Sequence, residues 1–442
     1  MILFDNGGNE LKKYNILIFP AGSEIALEIY DSLKYNLHFN VFGASGKPDH
    51  AKYSYPLDHY IEGEDLYITG NNFTQNFNKV LETYNIDYIF PTHDSVALYL
   101  SEHQHLVHAT LICSDQKTTR IARSKKKIYQ ALKGCPFIPH IFDRIDEIME
   151  YPVFLKPDIG EGGMNTWIAN NRVELNDICS KVDDLIVSEY LPGEEFSIDC
   201  FTNREGELLF VGPRTRQRVT IGISFHSERI PLSKEILEIA HKLNEYFSFR
   251  GAWFFQVKTD KAGQPKLMEF AIRQASTMGL YRQLGVNFAL LSLFDFIGYD
   301  VKVLLNDYEI VLDRCLHNEY KLSYDYNRIY VDFDDTLIMN DKVNTLLMRL
   351  IYQCINSNKQ VILLTKHACD LDESLSKYRI GRELFDEIIL IKPEDKKADY
   401  IVTSKAIFID NYFPERLYVK EICNIPVFDV DAIECLIDSS TL

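Results

Sequence analysis

Two aspartates separated by a single residue follow a short apolar stretch near the C-terminus. Asp332 and Asp334 both lie in the segment VDFDDTL, which begins as a predicted strand. At a strand end, one carboxylate can attack phosphorus or hold a metal ion while the other transfers a proton to the leaving group. Capping of a turn is the alternative role for a single aspartate in such a position. The pair therefore marks a candidate site for phosphoryl transfer.

Later segments add polar side chains to the same predicted sheet. The strand VILLT ends in Thr365, whose hydroxyl can bind a phosphoryl oxygen, and the strand AIFID ends in Asp410, a candidate magnesium ligand. Lys396 and Lys397 precede a predicted helix and can neutralise charge there. Ligands bind beyond the carboxyl ends of the strands in a doubly wound sheet, so we expect these groups to serve one site.

In this order the motifs make residues 328–442 resemble the haloacid dehalogenase (HAD) phosphatase superfamily. The resemblance implies that Asp332 is a nucleophile that forms an aspartyl phosphate and that Asp334 is the acid and base. The other implied roles are phosphate binding and charge stabilisation, by Thr365 and by Lys396 or Lys397 respectively.

The resemblance also implies a magnesium site with one departure from the family pattern. Asp410 would hold Mg²⁺ together with Asp332 and the backbone carbonyl of Asp334. The family usually has a second acid near this position, whereas Asn411 follows here. An asparagine still offers an oxygen, but the site loses a negative charge, so a weakened or altered phosphatase is one expectation.

A second group of candidate residues lies in the middle of the chain. The segment YPVFLKPDIGEGGMN places Lys156 at the end of a predicted strand, with Gly160, Gly162 and Gly163 in the following loop. Glycines let backbone N–H groups approach phosphates closely, and a lysine supplies positive charge. An ordinary hairpin is the alternative for a glycine-rich loop taken alone.

Two further segments strengthen the case for a nucleotide site. LIVSEYLPGEEFSID carries Glu189 before a Pro-Gly turn, and KLMEFAIRQAS carries Glu269 and Arg273 opposite the predicted strand WFFQVK with Gln256. In this order the chain from about 15 to 305 resembles the ATP-grasp superfamily, and most closely the branch related to the carbamoyl phosphate synthase large subunit. The resemblance implies ATP and Mg²⁺ as cofactors.

Carried over by motif, the ATP-grasp resemblance implies a role for each side chain. The phosphates of ATP would be bound by Lys125 and Lys156 and covered by Gly160, Gly162 and Gly163. Adenine would meet Glu189 and Leu191, ribose would meet Glu195, and Mg²⁺ would be held by Gln256 and Glu269. Arg273 would stabilise the transferred phosphoryl group or the acyl phosphate.

Two features of this region leave alternatives open. Ala271 stands where the family commonly has a magnesium-binding asparagine. Either Asp260 or water fills the gap, or only one magnesium is held firmly, or the site is degenerate. A set of three arginines precedes the segment VTIGIS, and at least one is expected to face an anionic substrate, with surface solvation as the alternative; these are Arg214, Arg216 and Arg218.

Alternating apolar strands and helices predict how these residues are positioned. The strands ILIFPAG, FNVFGAS and IDYIFP, with helices between them, predict a parallel sheet covered by helices. The chain is then strand-rich between Tyr151 and Phe270 and closes with an apolar helix followed by a strand at 288–305. From Arg328 the pattern predicts a small doubly wound sheet, in which the 28 residues between Thr336 and Thr365 leave no room for a separate cap domain.

We therefore expect a multidomain α/β and α+β protein. The expected parts are a parallel α/β pre-ATP-grasp domain at 1–110, an ATP-grasp domain at 111–316, a linker at 317–327 and a Rossmann-like HAD domain without a large cap at 328–442.

Composition limits the classes of function. The sequence has 64 acidic and 47 basic residues and a net charge of −17, which argues against sequence-independent nucleic-acid binding. Nine scattered cysteines without a CxxC pair suggest neither a disulfide framework nor a zinc site. The N-terminus does not resemble a secretory signal, and the most apolar stretch is interrupted by charges. We expect a cytoplasmic protein without membrane insertion.

The two resemblances together predict a bifunctional enzyme. The ATP-grasp part would join a small-molecule carboxylate to an amine or phospho-amine through an acyl phosphate, releasing ADP. The HAD part would remove a phosphate from the amide product or from the amine precursor, in a role such as bacterial surface-polysaccharide biosynthesis. The alternatives are a HAD phosphatase with a regulatory or vestigial nucleotide module, and a non-catalytic nucleotide-sensing scaffold. A homodimer is left open.

Overall fold

The computed structural model describes residues 12–63, 65–160, 163–220, 222–316 and 318–438. These residues form two compact units. The first lies within Met1–Lys52 and Asp58–Leu316, and the second within Tyr53–Leu57 and His317–Leu442. Of the helices in these described ranges, none combines the length and the apolar character needed to cross a bilayer.

A five-stranded parallel sheet opens the first unit. Its strands are β1 (Tyr14–Phe19), β2 (Phe39–Ser45), β3 (Tyr60–Glu62), β4 (Tyr88–Pro91) and β5 (Thr110–Leu111), in the order β3-β2-β1-β4-β5. The helices α1 (Glu24–Leu33), α2 (Phe73–Thr83) and α3 (Asp94–Glu102) connect them. The apolar run ILIF of β1 is almost fully buried because helices cover both faces of such a sheet. The predicted parallel sheet is therefore present, with two further short strands.

Two helices and a small antiparallel sheet follow. The helices are α4 (Gln116–Ala122) and α5 (Lys125–Ala131). The sheet has the order β7-β6-β8, with β6 (Val153–Pro157), β7 (Trp167–Ala169) and β8 (Leu185–Glu189), and α6 (Arg172–Lys181) joins its last two strands. Lys156 is the penultimate residue of the central strand β6, so this sheet positions it.

Two antiparallel sheets complete the first unit. The larger has the order β10-β9-β13-β14 and contains β9 (Glu195–Thr202), β10 (Leu208–Thr215), β13 (Gly251–Thr259) and β14 (Pro265–Ala271). The smaller consists of β11 (Gln217–Thr220), β12 (Ile223–Glu228) and β15 (Val311–Asp313). The accompanying helices are α7 (Lys234–Tyr246), α8 (Gly279–Gln283) and α9 (Phe288–Ile297).

Strand β13 is buried along most of its length because apolar groups cover both of its faces. Trp253 and Phe255 belong to one large cluster that also contains residues of the first sheet, such as Phe19. Phe254 points the other way, into a second cluster. This alternation with a period of two also decides that Gln256 shares the face of Phe254.

The expected strand after the apolar helix is absent. Helix α9 ends at Ile297, and residues 299–310 are in neither a strand nor a helix. Val301 and Val303 pack against the cluster beneath them, whereas Leu304 is largely exposed. The segment alternates as a strand would, but it pairs with no sheet.

The second unit contains another five-stranded parallel sheet. Its order is β20-β19-β16-β21-β22, with β16 (Arg328–Val331), β19 (Gln360–Thr365), β20 (Glu387–Leu390), β21 (Ala406–Ile409) and β22 (Val427–Phe428). A hairpin of β17 (Ile338–Met339) and β18 (Lys342–Val343) and the helices α10 (Thr345–Asn356), α11 (Leu371–Lys377) and α12 (Phe413–Cys423) complete it.

The prediction of a helix directly after Lys396 and Lys397 is wrong. That segment forms only a short 3₁₀ turn, Lys397–Tyr400. The turn leads through five residues to β21, which leaves too little chain for a helix. Lys397 is the first residue of the turn, and its side chain is buried.

Candidate active site

A cavity of about 240 Å³ in the first unit collects many of the predicted residues. Gln256 of β13 lies directly opposite Glu269 of β14 in the antiparallel pair. Residues on one face of a strand recur at every second position, and Glu269, Ala271 and Arg273 all line the cavity together with Gln256. The β13–β14 hairpin therefore forms one wall of the site.

Residues of the first parallel sheet contribute to the same cavity. Ser23 follows β1, and Thr92, His93 and Asp94 follow β4; all four line the cavity. They come after the carboxyl ends of two adjacent parallel strands, which is where such sheets bind ligands. The parallel sheet is thus part of the candidate site.

Lys125 lies at the N-terminus of α5 and reaches the cavity. Its Nζ is 3.1 Å from Glu269 Oε2 and 3.4 Å from the backbone oxygen of Gly160. The start of α5 is held by Asp158, whose carboxylate accepts hydrogen bonds from the Ser124 hydroxyl at 2.8 Å and from the Lys126 backbone N–H at 2.7 Å. Lys125 is therefore anchored between the glycine loop and β14.

The glycine loop is only partly described. Gly160 lines the cavity, and Gly163 has a φ of +68°, a left-handed conformation that favours glycine. The predicted phosphate-binding residue Gly162 lies outside the described residues.

A second, smaller cavity of about 110 Å³ contains the residues predicted to meet adenine. Lys156, Glu189 and Leu191 line it together with Tyr129 and Met268. The carboxylate of Glu189 accepts a hydrogen bond from the backbone N–H of His140 at 2.8 Å. Apolar walls with a few fixed polar groups are typical of sites for small molecules and cofactors.

Lys156 is buried in this cavity and has few partners. Its Nζ donates to the Tyr129 hydroxyl at 2.5 Å and lies 3.4 Å from the backbone oxygen of Met268. Burial lowers the pKa of Lys156 to about 8, although Glu269 and Glu195 oppose the change. An incoming phosphate would favour the charged form of this amine.

The lowered pKa of Lys156 predicts two pH effects of opposite sign. MgADP should bind about tenfold more weakly at pH 9 than at pH 7, because only the protonated amine attracts phosphate and its fraction falls above pH 8. The free energy of unfolding of the nucleotide-free protein should instead rise between pH 8 and 10.5, where the unfolded lysine still holds a proton that the native one has lost. Calorimetric titration and urea unfolding across this range measure both, and Lys156→Met should remove both trends.

Arg273 is held by Asp94, the first residue of α3. Its Nε and Nη2 donate to the two carboxylate oxygens of Asp94 at 2.8 and 2.9 Å. Burial alone would raise the pKa of Asp94, but the Arg273 guanidinium holds it below the ordinary value. A bidentate pair of this kind fixes the plane of the guanidinium, so Arg273 is oriented before any substrate binds.

The three predicted arginines have three different environments. Arg214 is fully buried and Arg216 is nearly so, and both line the larger cavity. Arg218 is mostly exposed and forms an ion pair with Asp313. Glu195 accepts a hydrogen bond from Arg216 Nε at 2.7 Å and, within the described residues, is absent from the walls of both cavities. Its predicted ribose contact stays a prediction.

Asp260 does not fill the place left by Ala271. Its Oδ1 accepts hydrogen bonds from the backbone N–H groups of Ala262 and Gln264 at 2.8 and 2.9 Å. These contacts close the turn between β13 and β14, whereas Ala271 lines the cavity. Because the turn holds Asp260 at the far end of the hairpin, the alternative that assigned it to magnesium is wrong.

In the second unit, a buried lysine joins two of the predicted carboxylates. Lys397 Nζ donates to Asp332 Oδ1 and to Asp410 Oδ2, both at 2.6 Å. Lys396 instead lies over the ring of Tyr418, 5.4 Å from its centroid. Of the two lysines that the sequence left open, Lys397 is therefore the one at the candidate site.

The charges of this cluster change one another's ionisation. Burial raises the pKa of Asp332 to about 6, with Lys397 opposing the rise and Asp410 adding to it. Burial would lower the pKa of Lys397, but the two carboxylates raise it. Thr365 is fully buried at the end of β19, the strand next to the one that Asp332 follows.

The other predicted acid, Asp334, is held by a histidine. His367 Nδ1 lies 2.9 Å from each carboxylate oxygen of Asp334, and its Nε2 is 2.8 Å from the Ser374 hydroxyl. Asn411 is also fixed, since its backbone N–H donates to the Thr336 hydroxyl at 3.0 Å and that hydroxyl donates to its amide oxygen at 3.1 Å. Asp334 and Asn411 therefore each have a fixed partner beside the Lys397 cluster.

Comparison with known proteins identifies the fold of the first unit. Residues 181–311 match a family model described as "ATP-grasp in the biosynthetic pathway with Ter operon". The biotin carboxylase domain of Hydrogenobacter thermophilus 2-oxoglutarate carboxylase, in complex with MgADP, ADP and bicarbonate, has a TM-score of 0.55 at 16% identity, over 69% of this chain and 74% of its own. The first unit has an ATP-grasp-like fold.

Two further proteins are similar to this chain. The L-amino acid ligase of Bacillus licheniformis has a TM-score of 0.50 at 17% identity, over 66% of this chain and 76% of its own. The arginine-specific carbamoyl phosphate synthase large chain of Halalkalibacterium halodurans is 24% identical over 148 residues. That stretch is 30% of this chain but only 14% of the synthase, so the chain spans a small part of that relative.

Each candidate site offers a few oxygen atoms that could bind a divalent metal ion such as Mg²⁺. In the ranges that the structure describes, no three His, Cys, Asp or Glu side chains form a group able to hold a metal ion. A magnesium ion in the first unit would use Gln256 and Glu269, and one in the second unit would use Asp332, Asp410 and a backbone carbonyl. Mg²⁺ commonly takes few protein oxygens and completes its shell with water and substrate phosphates, so both donor sets fit.

Sequence inspection missed several residues that complete the sites. Asp94 is the first residue of α3 and the third residue after β4, and His367 is the second residue after β19. A rule that examines every polar residue just beyond a parallel strand would have found both. Tyr129 lies inside α5 among ordinary helix residues, and no local signal marks it.

Proposed function

We propose that this protein is an ATP-dependent carboxylate–amine ligase whose second unit is a HAD-type phosphatase. The observation that carries the ligase is the wall of the larger cavity, where Gln256, Glu269, Lys125 and Arg273 converge. They combine cations for phosphate, oxygens for magnesium and a pre-oriented guanidinium. Two structural relatives support the same proposal, because one is a biotin carboxylase domain in complex with MgADP and the other is an L-amino acid ligase.

The ligase reaction has two steps. A carboxylate oxygen attacks the γ-phosphorus of ATP, the bond to the β–γ bridging oxygen breaks, and ADP leaves. An amine then attacks the carbonyl carbon of the acyl phosphate, and inorganic phosphate leaves with its electron pair as the amine proton is lost. Lys125 and Lys156 would bind the phosphates of ATP, and Arg273 would offset charge on the transferred group. Bound magnesium would offset further phosphate charge.

The second unit supports a separate phosphatase reaction. Asp332 would attack the phosphorus of a phosphate ester, Asp334 would protonate the departing oxygen, and water would then hydrolyse the aspartyl phosphate. Lys397 contacts Asp332 and would stabilise the added negative charge. The substrate would be the amide product or the phospho-amine, which would make the two reactions consecutive. The matching family is described as acting in a biosynthetic pathway, which supports a biosynthetic role, and surface-polysaccharide synthesis is the role that we propose.

The proposal is tested by measuring ADP and amide formation with ATP, Mg²⁺ and pairs of acids and phospho-amines. We expect ADP formation that requires both partners of one pair and an amide of the corresponding mass. Formation of AMP in place of ADP, or no nucleotide turnover with any pair, would contradict the ligase. Phosphate release from simple esters alone would favour a phosphatase with a nucleotide-binding partner module.

Ala271→Asn should strengthen magnesium binding in the ATP-grasp unit. Ala271 lines the cavity beside Glu269, so an asparagine there adds an oxygen ligand where the methyl group offers none. We expect the Mg²⁺ concentration for half-maximal ADP formation to fall roughly tenfold, the factor that 1.4 kcal/mol of added binding would give. Ala262→Asn, in the exposed β13–β14 turn, is the matched control and should change nothing. An unchanged magnesium dependence in Ala271→Asn would mean that this position does not face the metal.

A further inference from the structure

We propose that the acid substrate is held by its carboxylate on the unused Nη1 group of Arg214. This inference rests on the proposed ligase and deepens it, because it assigns the end of the cavity at which the acid binds. It makes Arg214 a residue that determines specificity.

One edge of the Arg214 guanidinium is already occupied. Its Nε and Nη2 donate to the two carboxylate oxygens of Asp199 at 2.7 and 3.0 Å, and both side chains are fully buried. A bidentate pair of this kind fixes the guanidinium in one orientation. Arg214 therefore presents its remaining donors rigidly.

The other terminal nitrogen of Arg214 lacks a partner. Nη1 is buried and has no hydrogen-bond acceptor among the described residues. Leaving a buried donor unpaired is costly, so native structures rarely do so without a ligand or a functional reason. Arg214 lines the 240 Å³ cavity, and a ligand in that cavity can supply the missing acceptor.

The charge around Arg214 favours an anion as that ligand. Five basic side chains line the cavity against two acidic ones, so its walls carry a net positive charge; the basic ones are Arg123, Lys125, Arg214, Arg216 and Arg273, and the acidic ones are Asp94 and Glu269. Arg314 is close as well, since its Nη2 donates to the backbone oxygen of Ser276, which also lines the cavity, at 2.5 Å. An acceptor with negative charge pairs better with a guanidinium than a neutral one does.

A carboxylate is the anion that the ligase chemistry requires here. The phosphate-binding candidates Lys125 and Gly160 and the magnesium candidates Gln256 and Glu269 line the same cavity as Arg214, so nucleotide phosphates and the acid would share it. One carboxylate oxygen on Arg214 Nη1 would leave the other free to attack phosphorus. Arg214 would thus bind and orient the nucleophile.

The test is a titration of the full-length protein with ¹³C-labelled acetate, the smallest carboxylate, followed by NMR line broadening with and without Mg²⁺ and AMP-PNP. Acetamide, which has the same shape without the charge, is the ligand control. We expect acetate to bind to the wild type, and Arg214→Gln to weaken binding at least about tenfold through loss of a charge-assisted hydrogen bond. Acetamide should not bind measurably.

Two further variants keep the result interpretable. Arg214→Lys retains a charge beside Asp199 and should fold, yet it lacks the second terminal nitrogen and should also lose most acetate binding. Arg218→Gln removes the exposed arginine that pairs with Asp313 and should bind acetate as the wild type does. Acetate binding that is absent in the wild type, or equal in all four proteins, would overturn the assignment. Failure of AMP-PNP to bind, with acetate binding still dependent on Arg214, would count against the ligase and not against the carboxylate site.

Discussion

Asp332→Asn should abolish phosphate release by the second unit while leaving ADP formation unchanged. The asparagine oxygen can still accept the hydrogen bond from Lys397 Nζ that Asp332 Oδ1 accepts at 2.6 Å, so the fold should persist. The amide is a poor nucleophile, and loss of the attacking group should lower the rate on phosphate esters by at least about a thousandfold. A malachite-green assay for phosphate and a coupled assay for ADP, run on the same samples, measure the two activities.

Lysine variants provide the controls for this experiment. Lys397→Met removes the cation that contacts both Asp332 and Asp410 and should abolish phosphate release by the second unit as well. Lys396→Met changes the neighbouring lysine, which lies over Tyr418, and should retain activity. Loss of ADP formation in Asp332→Asn would show that the two reactions do not use independent sites.

Lys156→Met should weaken ATP binding about 10- to 100-fold, the usual effect of losing one charged hydrogen-bonding partner. Methionine has a similar length, and the Tyr129 hydroxyl keeps its own hydrogen bond to the Met268 backbone oxygen at 2.8 Å. The smaller cavity should therefore keep its shape. Calorimetry with AMP-PNP and Mg²⁺ measures the change in the dissociation constant.

The neighbouring helix offers a matched control for Lys156. Lys126→Met removes an exposed lysine that pairs with Asp184, and it should bind the nucleotide as the wild type does. Phosphate release by the second unit should be normal in both variants. Equal affinities in Lys156→Met and Lys126→Met would mean that the buried amine does not contact phosphate.

Strand and helix patterns predicted much of the fold because side chains that face the core must be apolar, which fixes where apolar residues recur along the sequence. The parallel strands have apolar runs that both faces of a covered sheet require, and the strand-end polar residues follow directly. The short strands β3 and β5 escaped notice because two or three residues carry no periodic signal. The segment at 299–310 alternates as a strand does, but it pairs with no neighbouring strand. The local sequence pattern does not show whether a neighbouring strand is available.

The sequence predicted which residues belong to the candidate sites, but it did not predict which side chains contact one another there. The order of motifs indicated both lysines at 396 and 397, and only the 3₁₀ turn that begins at Lys397 decides which one points inward. Arg273 was predicted to face a phosphoryl group, whereas its pairing with Asp94 joins residues 179 positions apart. Such pairings depend on how whole sheets pack, and a spacing rule along one strand cannot supply them.

The origin of the two cavity walls bears on how such an enzyme can change over evolutionary time. The residues of the smaller cavity all come from Tyr129 and the chain after it, whereas the larger cavity is also lined by residues that follow strands of the first sheet, namely Ser23, Thr92, His93 and Asp94. Recombination that exchanged only the N-terminal segment would replace part of the wall of the larger cavity and the partner of Arg273, yet it would leave the smaller cavity intact. Under the proposed function, the surroundings of the acid and of the transferred phosphate would then change while the proposed adenine site is kept.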